Sequence, residues 1–258
     1  MQTNQPILTH CSDGIFQITI NRAERKNALN EEMYRLMHAG LEQAGASDDV
    51  RVVLLKGSGG VFTSGNDLKD FANISRSEST LDEYAALKLM RALLTFKKPL
   101  VAAVNGVAVG FGVTLLLHCD LVIVDRTTKF QLPFVRLGLV PEFCSSALLP
   151  AIAGRARASR WLMLGESFPA DEAFQMGLVS LLCDEGAAEA VALEECRKLA
   201  GLPPETLQII KAMINTPEKQ QHLLKVMDEE MALFNRCLKS PAHREALAAF
   251  FEKRAPKF

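Results

Sequence analysis

Residues 99–144 read PLVAAVNGVAVGFGVTLLLHCDLVIVDRTTKFQLPFVRLGLVPEFC. The run opens on β-branched and small apolar residues at 101–104, which suits a buried strand. A turn at Asn105-Gly106 follows, and Gly110-Phe111-Gly112 then stands directly before the apolar block 113–117. Glycines at the mouth of a helix let the backbone approach a ligand closely. The first N–H groups of that helix have no internal partner and can meet an oxygen carrying negative charge. One carboxylate, Glu142, lies downstream in the segment LVPEFCSS. These residues offer a candidate oxyanion site and a candidate base. They also describe a tight turn before a core helix, with Glu142 as a helix-start residue.

The bulk of the chain narrows the classes of function. With 258 residues, 48% of them hydrophobic, it can build one large domain or a domain with an appendage. A net charge of −1, with no basic stripe interleaved with aromatics, gives no electrostatic footprint for nucleic acid. No apolar run reaches the ~18 residues of a membrane span. The start, MQTNQPILTH, lacks the basic and apolar regions of a secretory signal and is not rich in Arg and Ser. The end, APKF, is not a peroxisomal tripeptide. A cytoplasmic protein is expected. Its six cysteines (11, 119, 144, 183, 196 and 237) fall in no CxxC pair and read as reduced thiols. No His/Cys cluster has ligand spacing, so no metal site is expected.

In chain order, residues 14–20 alternate as a strand, and 21–28 form a polar loop. Asn30 is a candidate N-cap, with Glu31 and Glu32 in the first turn where the helix dipole favours acids. Met33, Leu36, Met37, Leu41 and Ala44 recur at helical spacing and predict an amphipathic helix ending near Gly45. Residues 51–56 predict a second strand, and 57–60 a flexible turn. Residues 61–68 lead into a short helical segment. The polar run 74–80 reads as mobile, and 81–96 as a helix feeding the strand at Pro99. Beyond it, 121–124 predicts a strand, and 145–153, 156–164 and 170–176 predict helices. Residues 178–182 suggest a last strand. The final third, 187–253, is helical, punctuated at Gly201-Leu202-Pro203, Pro217 and Pro241. We divide the chain into a core, 1–200, and a C-terminal helical region, 201–258.

At this point several segments together resemble the enoyl-CoA hydratase/isomerase, or crotonase, family. They are NRAERKNAL, FTSGNDLKDF, KPLVAAVNGVAVGFG, CDLVIVDRTTKF, LGLVPE, the A-x-EAFQMGLV segment and the terminal FFEKRAPKF. They run in family order across almost the whole chain. The resemblance implies an α/β fold: a spiral of ββα turns with helices outside and a C-terminal helical trimerisation region. It implies trimers, often paired into hexamers, and an acyl-CoA thioester as substrate. Coenzyme A is then part of the substrate, and no separate cofactor is implied.

Carried over by position, the oxyanion donors of this family are the backbone N–H groups of Asn66 and Phe111. Removing a proton next to a thioester places charge on its carbonyl oxygen, and two preorganised donors stabilise that charge. Asn66 and Phe111 replace smaller residues, which narrows or reshapes the thioester site. For coenzyme A, the resemblance implies Lys26 at the nucleotide phosphates. It also implies Ala28 and Ser64, Gly65, Asp67 and Leu68 along the pantetheine and adenine path, with Gly110 beside Phe111. Phe250 and Lys253 would reach the nucleotide of a neighbouring subunit.

Carboxylates discriminate within the family. Adding water to a double bond needs groups to take one proton and give another. The two glutamates that hydratases of this family use fall here on Thr114 and Phe134, neither of which can act as a base. Glu142, in LGLVPEFCSS, remains, and resembles the single glutamate of the Δ3,Δ2-enoyl-CoA isomerase branch. Phe143 stands where that branch would have glycine. Another crotonase-type reaction on a CoA thioester, hydration included, and a non-catalytic acyl-CoA-binding role are the alternatives. Other reactive residues read as structural. His118-Cys119-Asp120 is contiguous and does not converge as a triad would, and Cys119 reads as a small core residue. Cys144 has no cationic neighbour in sequence to activate it. Ser145 and Ser146 read as helix-start residues. His10, His38, His222 and His243 read as surface or interface residues, and Trp161 and Met163 as packed in a helix.

Overall fold

The computed structural model describes residues 5–69 and 84–258. The expectations for 70–83, which include the polar run 74–80, lie outside the described residues. The chain opens with a hairpin of β1 (Ile7–Ser12) and β2 (Ile15–Ile20). Its two-residue turn places Asp13 at φ 52° and Gly14 at φ 75°, the doubly positive geometry that matches strand twist. From β2 the sheet continues in parallel through β3 (Val52–Gly57), β4 (Leu100–Val104), β6 (Leu121–Asp125) and β9 (Leu181–Cys183).

The unbroken apolar runs of β3 and β4 follow from burial on both sheet faces. Val53, Leu55, Leu100, Ala102 and Val104 join the main core. Val52, Leu54, Val101 and Ala103 face the other way, onto Ala188, Ala192 and Cys196. Those three belong to α7 (Ala188–Ala200), which lies across that face. On the main-core side α1 (Glu31–Ala46) buries Met33, Tyr34, Met37, Leu41 and Ala44. The Asn30 side chain accepts from the Met33 N–H and caps it as expected. Helix α2 (Ala85–Leu94) packs beside α1.

A second, three-stranded sheet holds β5 (Val107–Val109), β7 (Lys129–Gln131) and β8 (Ser167–Pro169). Three-residue strands show no alternation, so the sequence did not reveal this sheet. The strand expected at 178–182 is displaced to Leu181–Cys183, because only those residues pair with β6. Between β5 and β6, the glycine-led segment is a single turn, α3 (Phe111–Thr114), continued by a 3-10 turn (Leu115–His118).

Helices α4 (Ser145–Ala153), α5 (Arg155–Leu164) and α6 (Ala170–Gln175) lie near their expected bounds. Three more close the chain: α8 (Pro204–Ile214), α9 (Pro217–Leu238) and α10 (Pro241–Phe251). Each begins with proline, whose missing N–H costs nothing at a first helical position. Thr216 and Ser240 cap α9 and α10. Leu223, Met227, Met231 and Phe234 bury one face of α9 in the main core.

Two side-chain expectations are corrected. His243 is fully buried, with its ring Nδ1 2.7 Å from the Leu137 carbonyl. The carbonyl only accepts, so Nδ1 carries the hydrogen and ties α10 to the 3-10 turn Val135–Leu137. Met163 is 72% exposed, because α5 turns only its other side, with Ala158 and Trp161, to the core.

Candidate active site

A cavity of about 500 Å³ opens between the polar loop 21–28, the Ser64–Lys69 segment, the glycine-led turn and α10. Its wall is laid down by backbone pairing. Thr63 bridges Ala108 in parallel, and Leu29 bridges Asn66 in parallel. In the second bridge Leu29 N–H donates to the Gly65 carbonyl, and Asp67 N–H donates to the Leu29 carbonyl. The bonds therefore go to the residues flanking Asn66, and the Asn66 N–H faces away from Leu29. Gly65 sits at φ 83°, and a Cβ there would lie 2.6 Å from the Val109 carbonyl oxygen. Only glycine lets these two backbones touch. Gly110, at φ 54° and ψ −117°, then turns the chain into α3.

Phe111 is the first residue of α3, so its N–H has no intrahelical acceptor. Among the described residues neither the Asn66 nor the Phe111 N–H donates to a protein acceptor. Both residues line the cavity, on segments in direct contact. Tyr34, which the sequence did not single out, reaches both. Its hydroxyl donates to the Asn66 side-chain oxygen, and its ring meets Phe111 edge-on at 5.0 Å. Nothing in the spacing of α1 distinguishes it from any other buried-face residue.

Glu142 lies behind this wall. It is 2% exposed and is not among the residues lining the cavity. Thr114, one turn beyond Phe111, places its hydroxyl 2.6 Å from Glu142 Oε1, while Oε2 has no partner among the described residues. The Phe111 ring stacks on Phe143 at 5.8 Å and 5°, and Phe143 stacks on His118 at 3.8 Å. Phe111 and Phe143 are both fully buried.

Burial pushes the Glu142 carboxyl up to about 8; the Thr114 hydrogen bond pulls it down, and the charge of Glu230 adds to the rise. Burial holds His118 near 4, so its ring is neutral, and its Nε2 donates to the Phe143 carbonyl at 3.0 Å. The Cys144 thiol is driven to about 12, chiefly by burial, which leaves it inert as a nucleophile. Cys119 is also raised by burial.

The residues expected at a coenzyme A site divide. Ala28, Ser64, Gly65, Asp67, Leu68, Gly110 and Phe250 line the cavity; Lys26 and Lys253 are exposed and outside its lining. Phe250 and its neighbour Phe251 line the cavity of their own chain, although a neighbouring subunit's site was expected for Phe250. The cations on the wall are Arg22, Arg25 and Lys69. Arg22 pairs with Asp67 at 2.9 Å, and its other contact is the Ala28 carbonyl. Next to Lys26, Asn27 is fully buried at φ 55°. Its side chain ties the loop to the Ser58 and Val61 carbonyls. Asparagine tolerates that left-handed geometry better than most residues, the one local signal by which the sequence could have singled it out.

Comparison with known proteins places this architecture. The family model described as enoyl-CoA hydratase/isomerase matches residues 10–258. The chain belongs to the enoyl-CoA hydratase/isomerase family. The 1,2-epoxyphenylacetyl-CoA isomerase of Escherichia coli K12 is 36% identical over 98% of this chain and 97% of its own. The enoyl-CoA delta isomerase 2 of Rattus norvegicus is 36% identical over 89% of this chain, which spans 59% of that relative. A crystal structure of an enoyl-CoA hydratase/isomerase from Pseudoalteromonas atlantica covers 98% of this chain, with a TM-score of 0.92 and 37% identity. The α/β fold is therefore crotonase-like, and the family acts on enoyl-CoA thioesters. Among the described residues no helix is long and apolar enough to cross a membrane.

Proposed function

We propose that this chain is a Δ3,Δ2-enoyl-CoA isomerase, with Glu142 as its single proton carrier. The observation that carries the reading is the buried carboxylate of Glu142, hydrogen-bonded to Thr114 beside the Phe111 turn, with one oxygen unpartnered among the described residues. The two positions where a hydratase would need glutamates hold Thr114 and Phe134, and Thr114 instead bonds Glu142. Ionised Glu142 takes a proton from C2 of a 3-enoyl-CoA. The electron pair left behind delocalises through the C3–C4 double bond and onto the thioester oxygen, where the Asn66 and Phe111 N–H groups receive it. Each such donor contributes roughly 3 kcal/mol. Protonation at C4 by the same carboxyl gives the trans-2-enoyl-CoA and regenerates the carboxylate.

Glu142 is buried and outside the cavity lining, so reaching C2 requires a rearrangement beside the Phe111 turn. Arg22, Arg25 and Lys69 line the cavity and suit the phosphates of coenzyme A. The exposed Ile209, Met213 and Ile214 of α8 suit a contact between copies of the chain.

The test is absorbance of the conjugated thioester. A rise with 3-hexenoyl-CoA and no loss with 2-hexenoyl-CoA is expected. Loss of the second signal would mean hydration without the two glutamates and would overturn the reading. The burial of Glu142 outside the cavity lining favours one alternative, acyl-CoA binding without turnover. Binding of hexanoyl-CoA with no spectral change in either assay would establish that alternative.

A further inference from the structure

Three distant segments meet at Glu142: Thr114 on α3, the turn Glu142 to Ser146, and Glu230 on α9. Glu230 is 6% exposed, and both its oxygens serve the turn. Oε2 accepts from the Cys144 N–H at 2.6 Å, and Oε1 accepts from the Ser146 N–H at 2.9 Å. Those N–H groups open α4 and have no acceptor inside the helix.

The turn needs such a grip. Phe143 and Cys144 stand consecutively at φ 56° and 63°, left-handed geometry that side chains resist. Ser145 fastens the same turn from within, its N–H and Oγ lying 3.2 and 2.7 Å from the Glu142 carbonyl. One helical turn beyond Glu230 on α9, Phe234 lines the cavity. A single helix thus both borders the substrate space and grips the turn that carries the base.

We propose that Glu230 is a positioning residue for Glu142: by accepting from Cys144 and Ser146 it holds the left-handed turn that aims the Glu142 carboxylate. This rests on the reading of Glu142 as the base. Glu230 also contributes charge. The other groups around Glu142 are the Thr114 hydroxyl, the neutral His118 ring that meets the Phe143 carbonyl, and the neutral Cys144 thiol. Lys211 lies beyond His118, paired with Asp120 at 2.6 Å, and Asp228 on α9 is paired with Arg91 at 2.7 Å. Among the described residues Glu230 is the charge that acts on Glu142, and it opposes ionisation of Glu142.

The experiment is Glu230→Gln, with kcat, KM and the pH profile measured on 3-hexenoyl-CoA. The amide keeps one acceptor, turns an NH2 toward the other N–H and removes the charge. The expected result is kcat lower by about 10- to 100-fold with KM within about threefold. The acid limb of the profile moves to lower pH, because Glu142 no longer ionises against a neighbouring charge. A purely structural role would lower stability and leave the limb in place. An unmoved limb, or kcat within twofold of wild type, overturns the proposal.

If Glu230→Gln does not fold, the double variant Phe143→Gly/Glu230→Gln replaces it. Glycine adopts the left-handed turn freely, so the double variant should fold and show the same displaced limb. A limb at its Phe143→Gly position would overturn the proposal. Glu142→Gln separates the two readings. If it retains wild-type turnover, the base reading falls. If it is inactive while Glu230→Gln behaves as wild type, only the positioning role falls.

Discussion

The two halves of the site are built by different means. The proposed oxyanion side is backbone: Asn66 and Phe111 present N–H groups whose directions follow from a parallel bridge and from two glycines with positive φ. The base side is side chain: Glu142 depends on Thr114, on a strained turn and on a carboxylate from α9. In the proposed mechanism the backbone half would tolerate residues such as Asn66 and Phe111, because side chains are not the donors. The side-chain half offers no such tolerance, since each partner supplies a specific atom.

The largest effect should come from the base side. Glu142→Gln removes the only proton carrier in the proposed mechanism and should lower turnover about 10³-fold. Its effect on stability should have the opposite sign. The wild-type carboxyl ionises near 4.5 in the unfolded chain and near 8 in the folded one. Across that window the unfolded state releases a proton that the folded state keeps, so stability falls as pH rises. Glutamine cannot ionise. Melting temperatures of variant and wild type should coincide below about pH 4, and the variant should melt higher near pH 9. A variant that is less stable at high pH would mean that Glu142 is ionised and well solvated in the folded protein.

Legibility in the sequence followed the same division. Glycines before an apolar block and an acid after LVP were visible in one line, and with the family resemblance they made Asn66, Phe111 and Glu142 the candidates. The long strands and the amphipathic α1 were legible because burial imposes a period on them. Tyr34 and Glu230 were not. Each acts across a long stretch of chain, and its own neighbours in sequence give no hint of its partner. The family resemblance put Lys26 at the nucleotide phosphates, yet it lies outside the cavity lining, to which Arg22 and Arg25 belong. In that loop the chain passes through left-handed geometry at Lys26 and Asn27, and composition does not show which cations face inward.

The backbone half breaks at Gly65. Alanine there must adopt φ 83° and place its Cβ 2.6 Å from the Val109 oxygen, so the Asn66 and Phe111 segments must separate. Strain and displacement together should cost about 2–4 kcal/mol in urea unfolding. The donors would no longer converge on one oxygen, and turnover should fall about 10²-fold. Substitution of Asn66 by alanine should do far less, because it leaves the N–H in place. Equal losses from the two substitutions would show that the Asn66 side chain, not its backbone, does the work.

The smallest expected effect probes the link between the halves. Thr114 Oγ1 lies 2.6 Å from Glu142 Oε1 and 3.3 Å from the Phe111 carbonyl. When Glu142 is ionised the hydroxyl donates to it; when Glu142 is protonated the hydroxyl can accept from it and donate to Phe111 instead. Thr114→Val preserves shape and removes both options. The ionised carboxylate loses its donor, so Glu142 should ionise at still higher pH. The acid limb of the kcat/KM profile should therefore move up by about one unit, a loss of up to about tenfold near pH 7 that closes again at high pH. The shift is opposite in sign to that of Glu230→Gln. That opposition separates charge from hydrogen bonding at one carboxylate. A Thr114→Val loss that persists at high pH would show that the hydroxyl acts on position rather than on ionisation, and would join Thr114 to Glu230 as a support of the turn.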